Sequence, residues 1–215
     1  MQISKEKAAE NRDRLLTEAA RLFRERGFSG AGVDALTEAA GLTHGSLYSR
    51  FGSKERLAAE ALARALSGSP AHRLSRERDA PGGALDRFVS RYLSARHRDA
   101  PGDGCVFAAL GSEIPRQGPA VRRVFTAGLR ASAARLAGVL PAHRHPAPED
   151  EALAVLASLV GGLILARAVG DPALSDRILA ASAGHLLDGT PASGQPAPHR
   201  TDGSATAQQT GGQHE

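Results

Sequence analysis

Residues 33–51 read VDALTEAAGLTHGSLYSRF and leave the chain few ways to fold. Val33, Leu36 and Ala40 fall on one side of a short helix over 33–40, and Leu47 and Phe51 on one side of a second over 44–51. Gly41 sits between them, where the backbone must turn, and Ala40 is small where the two helices touch. Thr43 offers the second helix a cap. Burying Leu47 and Phe51 leaves Thr43, His44, Ser46, Ser49 and Arg50 facing out, and Gly45 permits close approach of another molecule. A polar outer face on the second of two such helices is what insertion into a DNA major groove demands.

The flanking sequence is helical in the same manner. Leu15, Leu16, Ala19, Leu22 and Phe23 recur at helical spacing over 8–26, opposite Arg12, Arg14, Arg21, Glu25 and Arg26. Gly27 then stops that helix, and a turn, FSGAG, leads on. After Gly52, Ser53 caps a helix over 54–66, and 67–83 is polar, breaker-rich loop. Further helices are expected over 84–97 (Leu85, Phe88, Val89, Tyr92 and Leu93 forming its apolar stripe), 105–114, 119–140, 149–170 and 172–187. Pro119 opens the third of these, with Val121, Val124, Phe125, Leu129 and Leu136 inward. Glu149, Asp150 and Glu151 suit the positive amino end of the fourth. From 189 onward almost no large apolar side chain occurs, which predicts a disordered tail. The expectation is an all-α chain of about nine helices. With 4% aromatic residues and no Trp, its core rests on Leu, Ala and Val.

Charge is unevenly distributed. Residues 1–66 carry a net +2, residues 67–144 a net +7 and residues 145–215 a net −5. An amino-terminal unit that binds nucleic acid would therefore use a few placed cations, not a polybasic tract. One cysteine, Cys105, excludes an internal disulfide and suits a reducing cytoplasm. The opening MQISKEKAAENRDR lacks the apolar core of a signal peptide. The longest apolar run, 152–169, is broken by Ser158, Gly161, Gly162 and Arg167 and reads as a buried interface helix, so no membrane span is expected. His72, His97, His143, His145 and His185 show no metal-ligand spacing, and neither a glycine-rich phosphate loop nor a nucleophile elbow occurs. Enzymatic activity, a bound metal and a cofactor are not expected.

Across 14–57, RLLTEAARLFRERGFSGAGVDALTEAAGLTHGSLYSRFGSKERL resembles the tetracycline-repressor-like (TetR/AcrR) transcriptional regulators, most tellingly in AARLFRERGF, EAAGL and GSLYSRFGSKERL. The resemblance implies a helix-turn-helix DNA-binding head over 1–52, a helical ligand-binding and dimerisation body over 53–188, and the tail over 189–215. It places Thr43, His44, Gly45 and Ser46 where the recognition helix meets bases and phosphates, Tyr48 as a phosphate-binding tyrosine, Ser49 and Arg50 at variable contact positions, and Lys54 at the DNA backbone. Physically, Tyr48 and Lys54 would position the head, while Thr43, His44 and Arg50 are better suited to base readout. Tyr48 packed on the first helix, Arg50 as a solvated charge and His44 as a turn residue are the alternatives. Family members commonly carry Thr or Ser just before the second helix; here Ala31 and Gly32 stand there, leaving backbone N–H groups to meet phosphate.

For the body, Phe88, Tyr92, Arg96, Phe107, Phe125 and Arg167 lie on or beside inward stripes and are candidate effector contacts, with ordinary core or surface roles as the alternative. Cys105 stands near a helix amino end, where the dipole lowers a thiol pKa. Some relatives use a cysteine in similar surroundings as a redox or electrophile sensor; the reading favoured for Cys105 is nonetheless a buried, inert thiol. The last two long helices, including GGLILARAVGDPALSDRIL, resemble the family's dimer seam. The implied protein is a cytoplasmic homodimer that represses from a palindromic double-stranded DNA operator until a small-molecule effector releases it.

Overall fold

Leu15, Leu22 and Phe23 leave essentially no surface exposed, and neither do Leu36, Leu47, Phe51, Leu57 and Leu62 from three further segments. These side chains close one small core around which the amino-terminal helices wrap. The computed structural model describes residues 5–68, 83–140 and 147–187. Within them lie α1 (Lys5–Gly30), α2 (Val33–Ala39), α3 (His44–Phe51), α4 (Lys54–Ser67), α5 (Ala84–Tyr92), α6 (Ala95–Asp99), α7 (Val106–Leu110), α8 (Pro119–Ala137), α9 (Pro148–Ala168) and α10 (Pro172–Leu187). Short 3-10 turns at Pro101–Asp103 and Ile114–Arg116 flank α7. The described residues are all helix, turn and coil, so the all-α expectation holds.

The elements differ from the sequence reading in instructive places. α1 continues through Gly27 to Gly30, but Gly27 itself has φ 74° and ψ 172°, so the helix is broken where the sequence placed its stop and one more turn follows. That turn buries Phe28 against Phe23, ring centroids 5.1 Å apart. The single helix expected over 84–97 is two. Leu93 leaves helical geometry, and the Ser94 hydroxyl caps α6 by accepting from the His97 N–H. That break yields ten α-helices among the described residues instead of nine. The helix expected over 105–114 keeps only Val106–Leu110, with Cys105 as its N-cap. α8 ends at Ala137, short of Leu140. Ser53 caps α4 as expected, its hydroxyl accepting from the Arg56 N–H at 3.1 Å. Most of the 67–83 loop, residues 141–146 of the later loop and the 189–215 tail lie outside the described residues.

α1 and α4 pack antiparallel, tied by ion pairs Arg12–Glu60 and Asp13–Arg64 and by the Arg12 guanidinium over the Phe51 ring at 5.1 Å. The body sits on this pair. α8 lies along α4, α7 contacts both α1 and α4, and α9 packs between α8 and α10. At the α9–α10 crossing, a Cβ on Gly162 would meet Ser182 Oγ at 2.7 Å. α9 is long and apolar enough, on length and composition, to cross a bilayer, yet its buried side is part of the common core.

Candidate nucleic-acid interface and body cluster

The α2–α3 corner is built by local backbone bonds. Gly41 takes φ 62°, the Gly41 N–H donates to Glu38 O at 2.9 Å and the Leu42 N–H to Thr37 O at 2.8 Å. Ala40 is buried where the helices meet. The Thr37 hydroxyl turns back onto the carbonyls of Val33 and Asp34, so this buried polar group is satisfied within α2. α3 then puts Leu47 and Phe51 wholly inside.

The opposite face of α3 is open. Thr43, His44, Gly45, Tyr48 and Ser49 are exposed and Ser46 is half-buried. Tyr48 keeps 45% of its surface in solvent and its ring lies 5.3 Å from that of His44. His44 Nε2 is 3.9 Å from the Asp34 carboxylate of α2. Thr43 occupies the N-cap position but does not cap with its side chain; its hydroxyl pairs with that of Ser46 at 3.0 Å. A Cβ on Gly45 would meet nothing within 4 Å. The fold therefore imposes no glycine there.

Two sequence-nominated residues turn elsewhere. Arg50 is half-buried, and its guanidinium donates to Ala8 O at 3.0 Å, tying the end of α3 to the start of α1. Lys54 donates to Phe28 O at 2.8 Å. The N–H of the same Phe28 donates to the Glu113 carboxylate at 3.0 Å, so Phe28 of the head is held through its carbonyl by α4 and through its N–H by Glu113. Arg24 makes a second such link, donating to Gly102 O at 2.6 Å; burial lowers its pKa. Neither Glu113 nor Arg24 was legible as a link in the sequence, since their partners lie 85 and 78 residues away.

The body candidates separate into clusters. Phe107 and Phe125 form an edge-to-face pair at 5.2 Å. Phe88 meets Tyr92 at 5.7 Å, and Tyr92 meets His97 edge-on at 4.7 Å. His97 Nε2 accepts from the Cys105 N–H at 2.9 Å, so Nδ1 carries the hydrogen and donates to Tyr92 O at 2.7 Å. Arg167 of α9 donates to His97 O and Arg98 O at 2.7 and 3.0 Å, fixing this turn to the body core; burial lowers its pKa. The Tyr92 hydroxyl is buried against the Cys105 thiol without a well-aligned hydrogen bond, and burial raises its pKa well above the ordinary value.

Cys105 is buried, as the inert-thiol reading expects. It does stand at a helix amino end, but burial pushes its thiol pKa up, outweighing the opposing influence of the nearby Tyr92 hydroxyl and of the Ala108 and Phe107 backbone. Desolvation of a thiolate exceeds what the amino end of a five-residue helix returns. Arg96 is exposed. It lines a recess of about 310 Å³ with Arg91, Tyr92, Ser94, His97 and Asp103.

The α2–α3 corner has helix-turn-helix geometry and stands on a larger helical body. Residues 15–61 match the sequence profile of the bacterial regulatory proteins of the tetR family. That match runs from α1 into α4, the helix-turn-helix head, which is therefore similar to the head of that family. Solved structures similar to it include the reduced form of NemR from E. coli, with a TM-score of 0.70 at 25% identity, covering 85% of this chain and 98% of that one. A TetR-family regulator from Cytophaga hutchinsonii has a TM-score of 0.69 at 20% identity, covering 87% and 98%. Another from Agrobacterium tumefaciens has 0.68 at 20%, covering 82% and 97%. The last two share the fold alone. No curated protein matches the chain.

Proposed function

We propose that the protein is a cytoplasmic homodimeric repressor that binds a palindromic operator through α3 and leaves it when a small molecule occupies the body. The observation that carries this reading is the two-sided character of α3. Leu47 and Phe51 anchor it, while Thr43, His44, Gly45, Ser46, Tyr48 and Ser49 form an open polar surface with glycine where the fold needs none. Tyr48 and Lys54 meet phosphate, Lys54 exchanging its bond to Phe28 O for one to the duplex. Arg50 holds α3 against α1 and acts on DNA through that placement.

The dimer rests on α9 and α10. Leu153, Ile164, Leu165 and Leu174 are large, apolar and exposed, and Gly161 has nothing within 4 Å of where its Cβ would stand. Such a stripe on the outside of the last two helices suits a second copy of the chain. The recess at Tyr92 and Arg96 is within the size range of small-ligand sites. An effector there that favours wrongly spaced heads shifts the population off DNA.

The test is a gel-shift titration on the chain's own upstream region with unrelated duplex as competitor. Sequence-specific binding is expected, and Tyr48→Phe with Lys54→Gln together should weaken it by about tenfold or more. Undiminished affinity in that double variant overturns the reading.

A further inference from the structure

The amino end of α8, a body helix, stands level with the amino end of α4, and it is basic. Gly118, the N-cap of α8, lies against the Glu55 carboxylate, and further along Gly128 lies against Leu66. The two helices therefore run side by side in the same direction. α4 begins just after α3 ends, at the edge of the reading face. α8 consequently extends as far toward a bound duplex as α4 does. The Glu55 carboxylate stands beside the amino end of α8, where a negative charge offsets the helix dipole.

Three arginines occupy this edge. Arg116, in the 3-10 turn before α8, and Arg122 and Arg123, near the start of α8, are exposed. Val121, Val124 and Phe125 pack toward the core, which leaves the arginines on the outer side. No acidic residue occurs between Glu113 and Glu149 to neutralise them along the chain. They belong to the stretch 67–144, whose net +7 contrasts with +2 in the head. The proposed DNA-binding role of α3 leaves that excess without a use.

We propose that Arg116, Arg122 and Arg123 form an accessory DNA contact, in which the body grips the phosphate backbone just outside the half-site read by α3. The proposal rests on the DNA-binding reading of α3 and extends its footprint. Exposed guanidinium groups bind phosphate without base specificity, so the contact contributes affinity and salt dependence, not sequence choice. Continuity with the α3–α4 edge is what favours duplex over an acidic protein. Arg130 lies about 10 Å farther along α8 than Arg123 at 1.5 Å per residue and falls outside the contact.

The experiment uses the full-length protein and a duplex it selects from a random pool, prepared in two lengths: the half-sites alone, and the same with ~8 base pairs added at each end, on the order of 27 Å at 3.4 Å per base pair. Fluorescence anisotropy is measured from ~50 to ~200 mM KCl, the range over which phosphate contacts dominate the salt response. On the long duplex, the dimer of Arg116→Gln/Arg122→Gln/Arg123→Gln, lacking three arginines in each protomer, should bind at least about tenfold more weakly and lose ~5 units of the slope of log affinity against log salt. On the short duplex it should match wild type, which also reports an intact head. Arg130→Gln/Arg135→Gln should match wild type on both. Equal slopes on the long duplex, or an equal loss on both lengths, overturns the accessory contact while leaving the function of α3 standing. Failure of the wild type to select any sequence overturns both.

Discussion

At Gly27 the backbone adopts φ 74°, and a Cβ there would collide with the Glu113 carboxylate. Gly27→Ala therefore meets two penalties, a left-handed conformation and a steric one. A loss of about 1–3 kcal/mol is expected in urea denaturation. Combining it with Glu113→Ala should recover the steric part only, and full additivity of the two would show that they do not touch. Cys105 makes a different prediction. Its thiol is buried with a raised pKa, so an aromatic disulfide reagent should label it slowly at pH 8 and fast in denaturant. Cys105 and Tyr92 are both acids held neutral by burial, with folded pKa values above the unfolded ones. Their stabilisation is complete below the unfolded values, about 8.5 for a thiol and 10 for a phenol, and is lost as pH rises through the folded values. The urea midpoint should fall from about pH 8.5 upward through Cys105 and fall further above about pH 10 through Tyr92, and Cys105→Ala should remove the first part of that fall. A midpoint indifferent to pH between about 8.5 and 10 would contradict the burial of Cys105.

Among the elements, α3 was legible because Leu47 and Phe51, four apart, leave only one side for the core. The break between α5 and α6 was not. The stripe from Leu85 to Leu93 runs on smoothly, and only the Ser94 cap and the grip of Arg167 on His97 O and Arg98 O turn the chain. These are contacts between α9 and residues about 70 positions earlier, beyond any local pattern. The head-to-body link is of the same kind. Glu113→Ala leaves the Phe28 N–H without its acceptor, and about 1–2 kcal/mol of local stability should go. Hydrogen exchange at Phe28 should speed up roughly tenfold or more for that loss. Unchanged exchange would mean that the head does not depend on the body there.

At the scale of the molecule, in the proposed dimer the outer stripe of α9 and α10 decides how two reading heads are spaced. Leu165, 57% exposed, is the largest apolar surface in it. Leu165→Glu should give a helical monomer by sedimentation equilibrium, with operator affinity reduced by at least tenfold because one head holds only one half-site. A variant that remains dimeric would place the interface elsewhere.

What the sequence determined alone is the succession of helices and the two-sided character of α3, because apolar periodicity and glycine punctuation act within a few residues. It could also nominate α9 as an interface helix, since that helix is apolar on every side. Tertiary structure alone decided that Gly162 faces α10 while Gly161 stays open, that Arg50 turns back to α1, that Cys105 is too buried for its helix to acidify, and that α8 runs level with α4. Each of these depends on which distant segment arrives beside a residue, and burial, steric contact and charge pairing are set only by that arrival.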